Sequence, residues 1–172
     1  MKKILLISDT HGYLDNSILE HASKADEIWH AGDIGNIEIA DRLMAVKPLR
    51  AVYGNIDDTK VRTVYPLNNR FIVEGLDVLI THIGGYPGRY HPSIKGEIEK
   101  NPPRLFICGH SHILKVMKDA RYNLLHINPG AAGIYGFHKM RTMIRFQIAN
   151  GKIENLDVIE LGLRGTLAQS VG

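Results

Sequence analysis

The sequence predicts an α/β domain in which two sheets pack face to face with helices covering the outside. The early chain alternates strand-length apolar runs with amphipathic helical segments, whereas strands and turn signals dominate later. In addition, five of the apolar runs break off into polar, metal-ligand residue types.

Lys3 to Ser8 opens the chain as a buried strand. Asp15 to Lys24 follows with Leu14, Ile18, Leu19 and Ala22 at helical spacing and Asp15 available as a cap. Glu27 to Ala31 is the second strand, and Asn36 to Val46 the second helix, with Pro48 marking its end. Leu49 to Tyr53 completes a β-α-β-α-β pattern, which calls for a parallel sheet. Arg70 to Glu74 and Asp77 to Ile80 flank Gly75-Leu76 as a hairpin. Ser93 to Lys100 is a short helix, and Asn101-Pro102-Pro103 separates it from the strand Leu105 to Cys108. Leu114 to Lys118, Asn123 to Ile127, Met140 to Ala149 and Lys152 to Leu161 read as strands, the last two joined at Asn150-Gly151. The tail after about Leu163 is expected to fray.

At 172 residues, one domain spanning 1–172 can bury a full core. The single cysteine, Cys108, excludes an intramolecular disulfide and fits a reducing compartment. The apolar run after Met1-Lys2-Lys3 is too short for a secretory signal, and no stretch approaches the roughly 20 apolar residues of a membrane span. A soluble cytoplasmic protein without membrane contact is expected. The net charge of +3 is small and dispersed, which argues against a long nucleic-acid groove.

The chemistry lies at the strand ends: Asp9-Thr10-His11, Gly32-Asp33, Gly54-Asn55, Thr81-His82 and Gly109-His110-Ser111-His112. Strand carboxyl ends are where α/β sheets gather functional groups. Glycine before Asp33 and Asn55 lets the backbone turn sharply or approach an ion closely. Carboxylate, amide and imidazole donors suit Mn, Fe or Zn better than Ca, and the lack of thiolates argues against a structural zinc site. Seven ligands exceed the needs of one ion, whereas two ions sharing a carboxylate would use them all. Two metals about 3.5–4 Å apart form a clamp for displacement at phosphorus, with a bridging hydroxide as the attacking group.

The order Asp-x-His, Gly-Asp, Gly-Asn, His, Gly-His-x-His resembles that of the calcineurin-like metallophosphoesterases, most closely their small bacterial and archaeal phosphodiesterase branch. The match runs from Lys3 to about Gly130; Asn128-Pro129-Gly130 is a loop the branch also carries. The resemblance implies a four-layer α/β/β/α sandwich with two mixed β-sheets. It implies that Asp9, His11 and His112 hold one metal, that Asn55, His82 and His110 hold the other, and that Asp33 bridges them. Two divalent transition-metal ions are implied, manganese first, with iron, zinc, nickel or cobalt as alternatives. Asp33 and His110 would act at the reacting phosphate, with Asn55 also touching substrate.

Three departures from the family pattern bear on substrate choice. Many relatives follow Gly-Asn with a histidine thought to protonate the leaving group, and Ile56 stands there instead. Asp57, Asp58, a metal-bound water or another histidine must then supply the proton, and good leaving groups are favoured. Thr81-His82-Ile83-Gly84 replaces Thr-His-Gly-His, and Ala131-Ala132 replaces a common serine. The Gly/Pro-rich stretch from Gly84 to Pro92 reads as a loop forming a substrate wall, with Arg89 on a phosphate oxygen, Tyr86 or Tyr90 stacking on a ring and His91 as a proton donor. His21 and His138 are expected at the surface, His30 and His126 in the core or behind the ligands, and Cys108 and Trp29 in the core.

The expected function is a dimetal-dependent phosphodiesterase acting on a small phosphate ester or nucleotide, with room for homo-oligomer formation. A phosphomonoesterase or nuclease is the alternative within enzymes. From another class, a protein-binding scaffold related to the retromer subunit would be expected to lose ligands, and here all seven are present.

Overall fold

Alternation of side-chain direction along single strands builds the layers. In a computed structural model, which describes residues 1–165, strand β1 (Lys2–Ile7) turns Ile4 and Leu6 toward a core between two sheets. Its intervening residues, Leu5 and Ile7, face helices on the outside. Helix α1 (Asn16–Ser23), strand β2 (Glu27–His30), helix α2 (Ile37–Val46) and strand β3 (Leu49–Ala51) follow, and the three strands run parallel. Asp15 and Asn36 cap the two helices through Ile18 N (2.9 Å) and Ile39 N (3.1 Å).

A short helix α3 (Thr59–Val64), capped by Asp58, escapes the sequence reading because six residues rich in Val and Thr carry little helical periodicity. Strands β4 (Asn68–Val73) and β5 (Leu76–Thr81) form the expected hairpin, with the turn at Glu74-Gly75, one residue earlier than expected. The loop expected over 84–92 contains a two-residue ladder, β6 (Gly85–Tyr86) with β7 (Arg89–Tyr90), before helix α4 (Pro92–Lys100). Strands β8 (Leu105–Ile107), β9 (Lys115–Asp119), β10 (Leu124–Asn128), β11 (Met140–Ala149) and β12 (Lys152–Leu163) complete the order. The expected frayed tail lies outside the described residues beyond Gly165.

The strands form two five-stranded mixed sheets in the orders β12-β11-β1-β2-β3 and β4-β5-β8-β10-β9. Trp29 and Phe146 of the first sheet, with Val52 just beyond β3, meet Val78, Ile80, Leu105 and Ile107 of the second in the central core. Outside the first sheet, Ile18, Ile39, Leu43 and Val61 of α1, α2 and α3 cover Leu5, Ile7 and Ile28. Outside the second, Ile94 and Ile98 of α4 cover Leu79 and Phe106. This is the four-layer α/β/β/α sandwich implied by the resemblance. No helix among the described residues is long and apolar enough to cross a membrane.

Candidate metal centre

All five ligand-bearing segments leave the carboxyl ends of parallel strands β1, β2, β3, β5 and β8, or the turns just beyond. Backbone bonds lace these loops together. Asp9 N donates to Gly32 O (3.0 Å), His11 N to Asp33 O (3.0 Å) and Gly109 N to His82 O (3.0 Å). Asp9, His11, Asp33, His110 and His112 all have positive φ, between 46° and 70°. Such backbone costs about 1–3 kcal/mol per non-glycine residue and persists where the surroundings enforce it, commonly at functional sites.

Two groups result: Asp9 with His11 and His112, and Asp33 with His82 and His110, the candidate ligand atoms of each lying within 4.8 Å of one another. Each carboxylate has one oxygen held by the protein and one turned inward. Asp9 Oδ2 accepts from Ser8 Oγ (2.6 Å) and His110 N (3.2 Å), while Asp33 Oδ1 accepts from Ile56 N (3.1 Å). Asp9 Oδ1 instead lies 3.2 Å from His112 Nε2 and 3.8 Å from His11 Nε2. Asp33 Oδ2 lies 3.2 Å from His82 Nε2 and 3.3 Å from His11 Nε2, which places His11 between the groups. Asn55 Oδ1 joins the second group 3.1 Å from His110 Nδ1.

Asp9 Oδ1, His11 Nε2 and His82 Nε2 are buried without a hydrogen-bond partner. Orphaned polar atoms at convergent carboxylates and imidazoles fit divalent cations. His82 donates Nδ1–H to Ala31 O at 2.7 Å, so its inward Nε2 can present a lone pair. Without ions, protons take that place. Burial opposes charge on both carboxyls, yet the facing imidazoles of His11 and His112 hold Asp9, and those of His11 and His82 hold Asp33, well below the usual range. The Asp33 and Asp9 carboxylates beside it raise His11 to about 9. Burial lowers His82, but Asp33 and Asp9 outweigh it and raise it. Burial lowers His110.

The residues that support the centre are the least predictable from sequence. Asp57, expected as one source of a proton, instead accepts from Ile34 N, Gly35 N and Gly54 N at 3.2, 2.8 and 2.7 Å, tying the Asp33 loop to the Asn55 loop. Asp58, the other such candidate, caps α3. His30 is fully buried and held neutral chiefly by burial, which lowers it to about 4. It accepts from Gly32 N at Nδ1 and bonds Thr10 Oγ1 at Nε2. Asn128 donates to Gly109 O and Ser111 Oγ, bracing the turn that carries His110 and His112. His138, expected at the surface, sits 3.2 Å from His112 Nδ1 through its own Nδ1, a correction no local spacing foretold. Gly136 makes room for it, since a Cβ there would collide with the His112 imidazole.

Two cavities adjoin the Asp33–His82–His110 group and share Ile83 and His91. One, of about 430 Å³, runs along His110 and Tyr86; the other, of about 350 Å³, along Asn55, Arg62 and Asn68. His91 accepts from Ser93 N at Nδ1 and lies 2.7 Å from Ser93 Oγ. Arg89 is exposed and lines neither cavity, and Tyr90 faces away from them. The Tyr90 ring is buried against Phe106, and its hydroxyl donates to Asp119 at 2.6 Å, so it is not free to stack on a substrate. His126, Cys108 and Trp29 are buried as expected, and His21 is half-buried at the end of α1.

A family model for the calcineurin-like phosphoesterase superfamily domain matches residues 1–151. A probable metallophosphoesterase of Methanocaldococcus jannaschii is 31% identical over 134 residues, which is 73% of this chain. The chain spans 66% of the length of that relative. Among solved structures, a single-substitution variant of Vps29 from Entamoeba histolytica superposes with a TM-score of 0.72 at 13% identity, covering 93% of this chain and 99% of that one. A structure described as a novel archaeal phosphodiesterase gives a TM-score of 0.69 at 19% identity, covering 92% of this chain and 99% of that one. At such identities these two likenesses speak to fold alone.

Proposed function

Because the chain belongs to the calcineurin-like phosphoesterase superfamily, we propose that it is a metal-dependent phosphodiesterase acting on a small phosphate ester or nucleotide. The observation that carries this reading is the pair of three-residue ligand groups facing each other across His11, with buried donor atoms left unpartnered. Asp9, His11 and His112 would hold one ion, Asn55, His82 and His110 the other, and Asp33 would be shared. Two divalent ions, manganese by preference, would supply Lewis-acid stabilisation of charge on the phosphoryl oxygens and a water acidic enough to attack near neutral pH.

The chain's own residues do the rest. Asp57, His30 and Asn128 hold the ligand loops in register, so that little reorganisation is needed when substrate arrives. With Asp57 and Asp58 committed to backbone donors, the candidate for protonating the leaving group, besides a metal-bound water, is His91. Its Nδ1 is engaged by Ser93, which leaves Nε2 on a ring lining both cavities. The whole chain, 1–172, acts in this reading as one metallophosphoesterase domain. A cytoplasmic setting is supported by the lone Cys108, buried and pushed up to about 12 by that burial, hence unreactive.

Metal analysis combined with hydrolysis of bis(p-nitrophenyl) phosphate, with and without manganese, tests the proposal. Bound transition metal, metal-dependent turnover and its loss in Asp33→Asn are expected. Absence of both metal and turnover overturns the reading and leaves the protein-binding scaffold, whose fold Vps29 shares.

A further inference from the structure

We propose that the cavity beside His110 binds the heteroaryl ring of the phosphoester's organic arm, a nucleobase-type ring with an N–H donor, between Tyr86 and Ile113 and against His126 and Lys115. The proposal rests on the phosphodiesterase reading and adds to it the class of group recognised.

The cavity, about 430 Å³, begins at the candidate ligand His110 and is within the range usual for small-molecule sites. Two of its large apolar side chains stand in solvent, Ile113 at 62% exposure and Tyr86 at 40%. Apolar surface beside a polar centre is ready to be covered by a flat ring.

The polar groups narrow the choice. His126 is only 1% exposed and lines the cavity. Its Nδ1 lies 3.2 Å from Phe106 O, and since a carbonyl can only accept, Nδ1 carries the ring proton and Nε2 a lone pair. The neighbour of that lone pair is Cys108 Sγ at 4.0 Å, whose thiol points to Gly85 O at 3.4 Å. Burial keeps the ring neutral at physiological pH by lowering it to about 4. A buried acceptor without a good donor is costly, and a ligand N–H would satisfy it.

Lys115 supplies the complementary charge. Its Nζ lies 4.2 Å from the Tyr86 ring centroid, and no carboxylate among the described residues pairs with it. A cation and a neutral acceptor on one wall match a ring edge that places an N–H beside a carbonyl oxygen, as in thymine or uracil. In the other cavity Arg62 is committed to backbone carbonyls of Asn55 and Asp57, and the buried imidazole on its wall, His82, belongs to the candidate metal centre.

The test uses the full chain with manganese and three esters sharing one leaving group: thymidine 5′-(p-nitrophenyl phosphate), its N3-methyl derivative and methyl p-nitrophenyl phosphate. The thymidine ester is expected to exceed both others in kcat/KM by at least about tenfold, because a site built around a hydrogen bond rejects the analogue lacking it. Ile113→Asp and Lys115→Met, at solvent-accessible positions, should each collapse the ratio toward one. Equal turnover of all three esters, or a ratio unmoved by both substitutions, overturns the pocket assignment while leaving the hydrolase reading intact. Calorimetry of thymidine 5′-monophosphate against inorganic phosphate separates the reverse case. No turnover with at least about tenfold tighter binding of the nucleotide, lost in Ile113→Asp, supports the pocket and sinks the hydrolase; no turnover and equal binding sinks both.

Discussion

The Nδ1 atoms of His112 and His138 lie 3.2 Å apart, and a single proton joins them. His138 Nε2 lies 2.8 Å from Gly133 O, which fixes its proton on Nε2 and leaves Nδ1 to accept from His112. Burial, which lowers His138, favours this neutral form. His112 Nε2, 3.2 Å from Asp9 Oδ1, is thereby left to present a lone pair to an ion bound between them. His138→Ala is expected to weaken binding of the ion at Asp9, His11 and His112 by about 10–100-fold, as for other residues that orient a ligand imidazole. Manganese titration checks this; an affinity equal to that of the parent chain refutes the role.

The metal-free centre should be pH-sensitive. His11 is raised from 6.5 to about 9 by the Asp33 and Asp9 carboxylates beside it. A raised value means that the stabilisation is present in full below about 6.5 and is lost as pH rises through about 9. The Tm of chelator-treated protein is therefore expected to fall across that window, and manganese to bind more tightly across it as the competing proton leaves. A flat Tm, or an identical slope in His11→Ala, removes His11 as the cause.

Asp57 holds the Asp33 and Asn55 loops together through three backbone donors while only 3% exposed. Asp57→Asn retains one accepting oxygen and brings an amide donor to face N–H groups. It should destabilise the protein by about 1.5–3 kcal/mol and loosen metal binding although Asp57 touches no ligand site. Denaturant unfolding and metal titration on the same variant measure both effects.

Gly54 lies against Asp33, and a Cβ there would collide with the Asp33 side chain and backbone. Gly54→Ala is expected to cost about 1–3 kcal/mol through overpacking and to lower metal occupancy, because Asp33 must move. Full occupancy by elemental analysis would falsify that coupling.

Legibility was uneven for physical reasons. Strands such as β1 were readable because burial on both faces leaves an unbroken apolar run, and the Asn150-Gly151 turn because both residues take positive φ, 52° and 72°. Helix α3 was not, since its position depends on the Asp58 cap and on Val61 packing under the first sheet. Arg89 and Tyr90 carried chemistry appropriate to a substrate wall, but the β6–β7 ladder turns adjacent residues to opposite sides, burying Tyr90 and leaving Arg89 in solvent.

The ligand order itself, Asp9 to His112, and the alternation that separates core from helix-facing residues are local properties, written wherever a strand stops or a side chain points. Sequence alone therefore determines that a polar centre exists and which donors are available to it. Which donors meet is a matter of strand order. β8 lies beside β5 and β10, and the two sheets face each other, so His110 and Asn55, 55 positions apart, come within 3.1 Å. His138 on His112, Asp57 under Asp33 and His126 beside Cys108 arise the same way, from contacts between segments far apart in the chain, whose meeting no local pattern encodes.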